Sequence, residues 1–129
     1  MPKQPSTGPS TDGRAGVFDL EVALVRLGGN RELFAKLVHF YFDDAPQLLD
    51  QLRHAAVHGD VVRVERAAHT LKSLAANFEA LPAARAALRV EEFAQARDLG
   101  SAIEFIPELE TQLRRLDTAL VAYAEDSTA

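Results

Sequence analysis

Residues 61–80 read VVRVERAAHTLKSLAANFEA. Val61, Val64, Ala67/Ala68, Leu71, Leu74/Ala75 and Phe78 recur at steps of three and four, the spacing that gathers side chains on one face of an α-helix. Gly59 is a suitable stop for whatever precedes, and Asp60 a suitable N-cap, so the spacing predicts a helix over 61–80. At ~100° per residue, His69 falls about 160° from the centre of that stripe and is expected in solvent, outside any core.

Working outward, the same periodicity recurs. Upstream, Phe34, Leu37, Val38, Tyr41, Ala45, Leu48, Leu52 and Ala55/Ala56 predict a helix from Arg31 to about His58, with a kink or break near Asp43–Ala45 ahead of Pro46. Before it, Asp19 can cap a short helix through Leu20, Ala23, Leu24 and Leu27, which Gly28-Gly29 ends and Asn30 follows as the next cap. Downstream, Pro82 suits the first turn of a helix reaching about Arg97. Its face is narrow and mostly of small residues (Ala83, Ala86, Ala87, Val90, Phe93, Ala94), which predicts close packing on a neighbour. Gly100-Ser101 with Glu104 reads as a stop and a capping box, and Pro107 as the start of the last helix. That helix carries Ile106, Leu109, Leu113, Leu116, Leu120 and Tyr123 or Ala124. No segment alternates with a period of two. The expected fold is all-α: an antiparallel, up-down-up-down four-helix bundle with a short additional N-terminal helix.

Residues 1–16 contain prolines, glycines and Ser/Thr with no large apolar side chain after Met1, and are read as a flexible tail or linker ahead of a bundle domain over 17–126. The 129-residue chain is 47 % hydrophobic, enough for one core, and 26 % charged, as soluble globular chains are. A formal charge of −5 argues against nucleic acid as the main partner. No apolar run approaches ~18 residues, so no membrane span is expected, and no secretory signal opens the chain. With no cysteine there can be no disulfide, thiol nucleophile or Cys-based zinc site. A cytoplasmic location is the expectation.

Around His69 the helix places Lys72 and Ser73 one turn on, Glu65 and Arg66 one turn back, and Val62 and Ala76 as flanks. A neutral imidazole with a pKa near ~6.5 is a good nucleophile at neutral pH. Attack on phosphorus would leave negative oxygens just outside the helix, where Lys72 can screen them and Ser73 can donate a hydrogen bond. Small side chains at Ser73 and Ala76 leave room for the group and for a partner. Taken alone, an exposed histidine is most often only solvated. The spacing of Lys72 and Ser73, together with the family resemblance that the same residues carry, raises this one above that reading.

His69-Thr70-Leu71-Lys72-Ser73 with Ala75-Ala76-Asn77 resembles the signature of the histidine-containing phosphotransfer (HPt) domains of two-component phosphorelays. The resemblance covers about residues 18–125, and includes Leu27-Gly28-Gly29-Asn30, Gly59-Asp60, and Val90-Glu91 where the family usually has Leu-Glu. It implies a monomeric bundle that binds no nucleotide and needs no cofactor of its own. His69 would accept a phosphoryl group from a receiver-domain aspartate and pass it to another, with Lys72 as electrostatic partner and Mg²⁺ on the receiver. The implied partners are receiver domains of response regulators or a hybrid sensor histidine kinase. The sequence departs from the pattern at Ser73 and Glu79, where glycine is usual.

Other readings compete. Docking is expected on Val62, Glu65, Arg66 and Ala76, and on Phe40 if it forms an apolar patch beside His69 and not extra core; Phe42 is read as core. Asp43, Asp44 and Glu91/Glu92 are read as solvated surface, and so is His39. His54 and His58, at i and i+4, lack a third ligand at a convincing spacing, which disfavours a metal-binding bundle. A bundle that regulates a kinase or receiver without carrying phosphate is the remaining alternative.

Overall fold

Four tight links shape this chain, each of three or four residues between consecutive helices. The computed structural model describes residues 16–128, with side chains through Glu125; the tail expected over 1–16 lies, Gly16 apart, outside the described residues. The helices are α1 (Leu20–Arg26), α2 (Arg31–Val57), α3 (Val61–Ala76), α4 (Leu81–Gln95) and α5 (Leu99–Thr128). Each link turns left-handed: at Gly28 and Gly29 in the first, with φ of 68° and 78°, and at Gly59, Glu79 and Arg97 in the others, with φ of 72°, 54° and 61°. The next N–H then reaches back five residues, as from Asp60 to Ala55, Ala80 to Ala75 and Asp98 to Phe93, which satisfies carbonyls that a helix end leaves open.

The following helix starts at once. Asp19, Asn30 and Asp60 accept from the backbone N–H groups of Val22, Leu33 and Arg63 at 3.1, 2.9 and 3.2 Å. Links this short force antiparallel neighbours. α2 packs on α3, α3 on α4, α4 on α5, and α5 back on α2, which closes the expected four-helix bundle. Phe34 makes edge-on contacts with Phe78 and Tyr123 in the core, and Phe78 with Tyr41. α1 lies against α2 and is tied to the α3–α4 link. The Asp19 N–H donates to the Phe78 carbonyl at 3.1 Å, and Arg26 pairs with Glu79.

Several boundaries differ from the sequence expectation. α3 stops at Ala76, because the left-handed turn at Glu79 brings Phe78 and Ala80 into the core. The turn expected of glycine is therefore made by Glu79. α2 runs unbroken through Pro46, and α5 begins at Leu99, not near Pro107. Asp98 is the cap: it accepts from the Ser101 backbone at 3.1 Å and from its hydroxyl at 2.7 Å, so Gly100 lies within the helix. Both prolines are exposed, while Ala45 and Leu52, and Ala102, Ile106 and Leu109, stay in phase on the buried face. Burial along the whole stripe thus outweighs one missing hydrogen bond at each proline.

Arg97 holds its left-handed turn with no ion pair among the described residues, whereas Glu79 has Arg26. A non-glycine residue in this region costs about 1 kcal/mol. Arg97→Gly is therefore expected to stabilise the fold by about that amount, and Glu79→Gly by less, because it forfeits the Arg26 pair. Urea unfolding of both variants checks this; a destabilised Arg97→Gly would show the turn to be unstrained.

Candidate functional site

The seam between α3 and α4 is built from small buried side chains: Ala68, Leu71 and Ala75 on one helix, Ala83, Ala87, Val90 and Ala94 on the other. The close packing expected of the small-residue face is present, and α3 with α4 is the most extensive helix pair. This approach brings Glu91 of α4 under two residues of α3. Its Oε2 lies 2.8 Å from Nδ1 of His69, and Lys72 Nζ donates to its Oε1 at 2.6 Å. The Glu91 side chain is 7 % exposed, Lys72 29 % and His69 59 %. His69 thus stands in solvent, as its helical position predicts.

Glu91 overturns the expectation of solvated surface; among the described residues it is the one buried charged residue. Burial by itself would raise its pKa, but the hydrogen bonds from Lys72 and His69, with their charges, outweigh this and hold the carboxyl below its ordinary value. A carboxylate only accepts, so Nδ1 of His69 must be the donor. In the neutral imidazole this hydrogen bond keeps the proton on Nδ1 and leaves the lone pair on Nε2. A signal was present in the sequence: Glu91 is four residues after Ala87 and three before Ala94, on the small-residue face itself. The resting Lys72 is not a free surface cation but half of this pair.

Other expected residues fall into place unevenly. Ser73 is adjacent, but its hydroxyl donates to the His69 carbonyl at 3.2 Å and faces the helix backbone. Glu65 accepts from Gln95 of α4 at 3.2 Å, one turn along the same seam. Val62 is exposed, and Ala76 is half-buried. Arg66 turns the other way, into a groove between α2 and α3 that it shares with Leu48, Gln51, His54, His58 and Thr70. Leu48 and Gln51 therefore lie level with Thr70, which puts Phe40 about 12 Å further along α2 by helical rise. Phe40 is exposed, but the fold does not bring it beside His69; Phe42 packs against the core as expected. The His54 and His58 rings stack 4.3 Å apart, and no group of three or more metal-ligating side chains gathers among the described residues. His39 is exposed near Asp43. No described helix is long and apolar enough to cross a membrane.

A family model described as Hpt domain matches residues 36–125, more than two thirds of the chain, and spans His69, Lys72 and Glu91. No curated protein and no solved structure matches the chain.

Glu91 also links stability to pH. Its folded pKa is depressed, so its contribution is complete above the unfolded carboxyl value, about 4.3, and is lost as pH falls through the lower folded value. Glu91→Gln, which leaves Lys72 without its anion, is expected to destabilise the fold by about 1–2 kcal/mol at neutral pH. The gap to wild type should close in acid. Denaturation of both proteins across that range checks it, and a gap independent of pH would contradict the pairing.

Proposed function

Because the chain belongs to the Hpt domain family, whose members are histidine phosphocarriers of two-component phosphorelays and not kinases, we propose that His69 is the phosphorylated residue. It takes the group from a receiver-domain aspartate and gives it to a second one. The observation that carries this reading is the Nδ1–H to Glu91 hydrogen bond, which leaves Nε2 of an exposed imidazole as the nucleophile.

In loading, the Nε2 lone pair attacks phosphorus in line, the P–O bond of the phosphoaspartate breaks, and its electron pair returns to the carboxylate. No proton needs to move. The ring becomes a cation that keeps its Nδ1 proton, and Glu91 lies against that charge. Unloading reverses the sequence: a carboxylate oxygen attacks, P–Nε2 breaks, and the pair returns to Nε2. Lys72, one turn from His69 and oriented by Glu91, is the cation on the α3–α4 side of the imidazole that screens the phosphoryl oxygens. A Mg²⁺ ion on the receiver would neutralise charge on the transferring group. Val62 and Ala76 provide the apolar margin, and Glu65 the charged margin, of a docking surface centred on His69; Arg66, turned into the α2–α3 groove, lies at its edge, and Phe40 is too far along α2 to belong to its centre. Ser73 contributes chiefly by being small.

The test is transfer from a labelled phosphorylated receiver domain to wild type and to His69→Gln. Acid-labile, alkali-stable label is expected on wild type and none on the variant, with helicity unchanged. Label persisting on His69→Gln would move the site elsewhere, and a folded wild type that no receiver labels would favour a module that regulates without carrying phosphate. Lys72→Ala is expected to slow transfer by about tenfold, the scale of one part-exposed cation; an unchanged rate would remove it from the site.

A further inference from the structure

Along the α3–α4 seam the ionic side chains follow in the order Lys72, Glu91, His69, Glu65, with Gln95 holding the last. Glu91 contacts the imidazole directly, and Glu65, four residues before His69, stands one helical turn away on the same side of α3. Glu91 is matched by Lys72, but Glu65 is matched only by a neutral amide, and its side chain is partly exposed. Helical side chains lean toward the N-terminus, so the His69 ring projects over the turn that contains Glu65 and Arg66. Arg66 lines the groove between α2 and α3. The formal charges of Glu65, Arg66, Lys72 and Glu91 sum to zero. A dianionic phosphoryl group on Nε2 thus arrives at a site with no net positive charge, next to a fixed anion.

We propose that Glu65, held at the seam by Gln95, sets the transfer potential of the phosphohistidine: its carboxylate raises the free energy of the loaded state and biases the group toward the next aspartate. The protein is then built for transit of the group rather than for storage. Glu65 forms no bond to the reacting atoms; it acts through space, on the charge that P–Nε2 bond formation brings in and that P–Nε2 cleavage removes. At about 6 Å through a largely aqueous path, one carboxylate facing a dianion changes an equilibrium by roughly three- to tenfold, and less in salt. The proposal rests on His69 as the phosphorylated residue.

Competition between wild type and Glu65→Gln tests it. The variant keeps the side-chain oxygen that Gln95 binds and removes only the charge. Wild type is loaded with phosphoramidate, freed of the donor, and mixed with an equal amount of unloaded Glu65→Gln and a trace of receiver domain as shuttle. The variant is uniformly 15N-labelled so that the two chains separate by intact mass, the partition of phosphoryl between them is read from those masses, and the same end point is approached from loaded Glu65→Gln. Glu65→Gln is expected to hold three to ten times more than wild type at low salt, with the ratio shrinking toward one in 0.5 M salt. Glu108→Gln, an acid on α5, should partition equally with wild type. An even partition for Glu65→Gln, with His69 loaded, would overturn the role of Glu65 alone. A His69 that neither phosphoramidate nor receiver loads would overturn the reading beneath it.

Discussion

A carboxylate in a nearly dry seam between two helices is stable only if its charge is met, and Glu91 is met twice. Leaving water would cost such an ion several kcal/mol. The Lys72 ammonium and the His69 Nδ1–H occupy its two oxygens at 2.6 and 2.8 Å and offset that cost. Much else follows from this pairing. It sets which residues of α3 stand opposite α4, holds the Lys72 side chain in one place, and decides which imidazole nitrogen carries the proton. Structure and reactivity at this site are therefore the same set of contacts.

The seam admits Glu91 because its other members are small. Ala75 and Ala87 are fully buried, and Ala68 with them, so the two backbones approach closely enough for a glutamate on one helix to reach beneath the side chains of the other. At the end of the seam the chain reverses through Glu79 in a left-handed turn, a conformation glycine adopts without strain. Here the strain is borne next to an ion pair with Arg26, which also fastens α1 to the turn. The short N-terminal helix is thus part of what holds α3 and α4 in place.

His69, whose Nε2 we propose as the nucleophile, projects from a helix into solvent and is not enclosed in a cavity. An exposed nucleophile can meet the flat surface of a partner domain, and in-line attack requires only that the two surfaces align. The bundle contributes a hydrogen-bonded imidazole, a neighbouring Lys72–Glu91 pair and a helical mount; on the proposed function, enclosure and further charge neutralisation would fall to the partner.

Helix content, most N-caps, the closing of the bundle and the outward position of His69 were legible in the sequence. Each depends on interactions within a few residues: the three-and-four spacing of Val64, Ala68, Leu71 and Ala75, the oxygen of Asp60 or Asn30, and the angle of His69 from its own stripe. What lay beyond reach depended on packing between helices. Glu91 read as surface because its partners are 19 and 22 residues away, and only the tertiary approach of α3 and α4 brings them within hydrogen-bond distance. Pro107 read as a helix start because local chemistry disfavours it inside a helix, yet burial of Ala102, Ile106 and Leu109 on one continuous face outweighs that penalty. Phe40 reads from sequence as either extra core or a patch beside His69, because sequence shows which side of a helix a residue occupies, but not how far along the adjoining helix it falls. Local spacing thus determined the helices and the exposed histidine, while the arrangement of charge around that histidine was decided only when the helices packed.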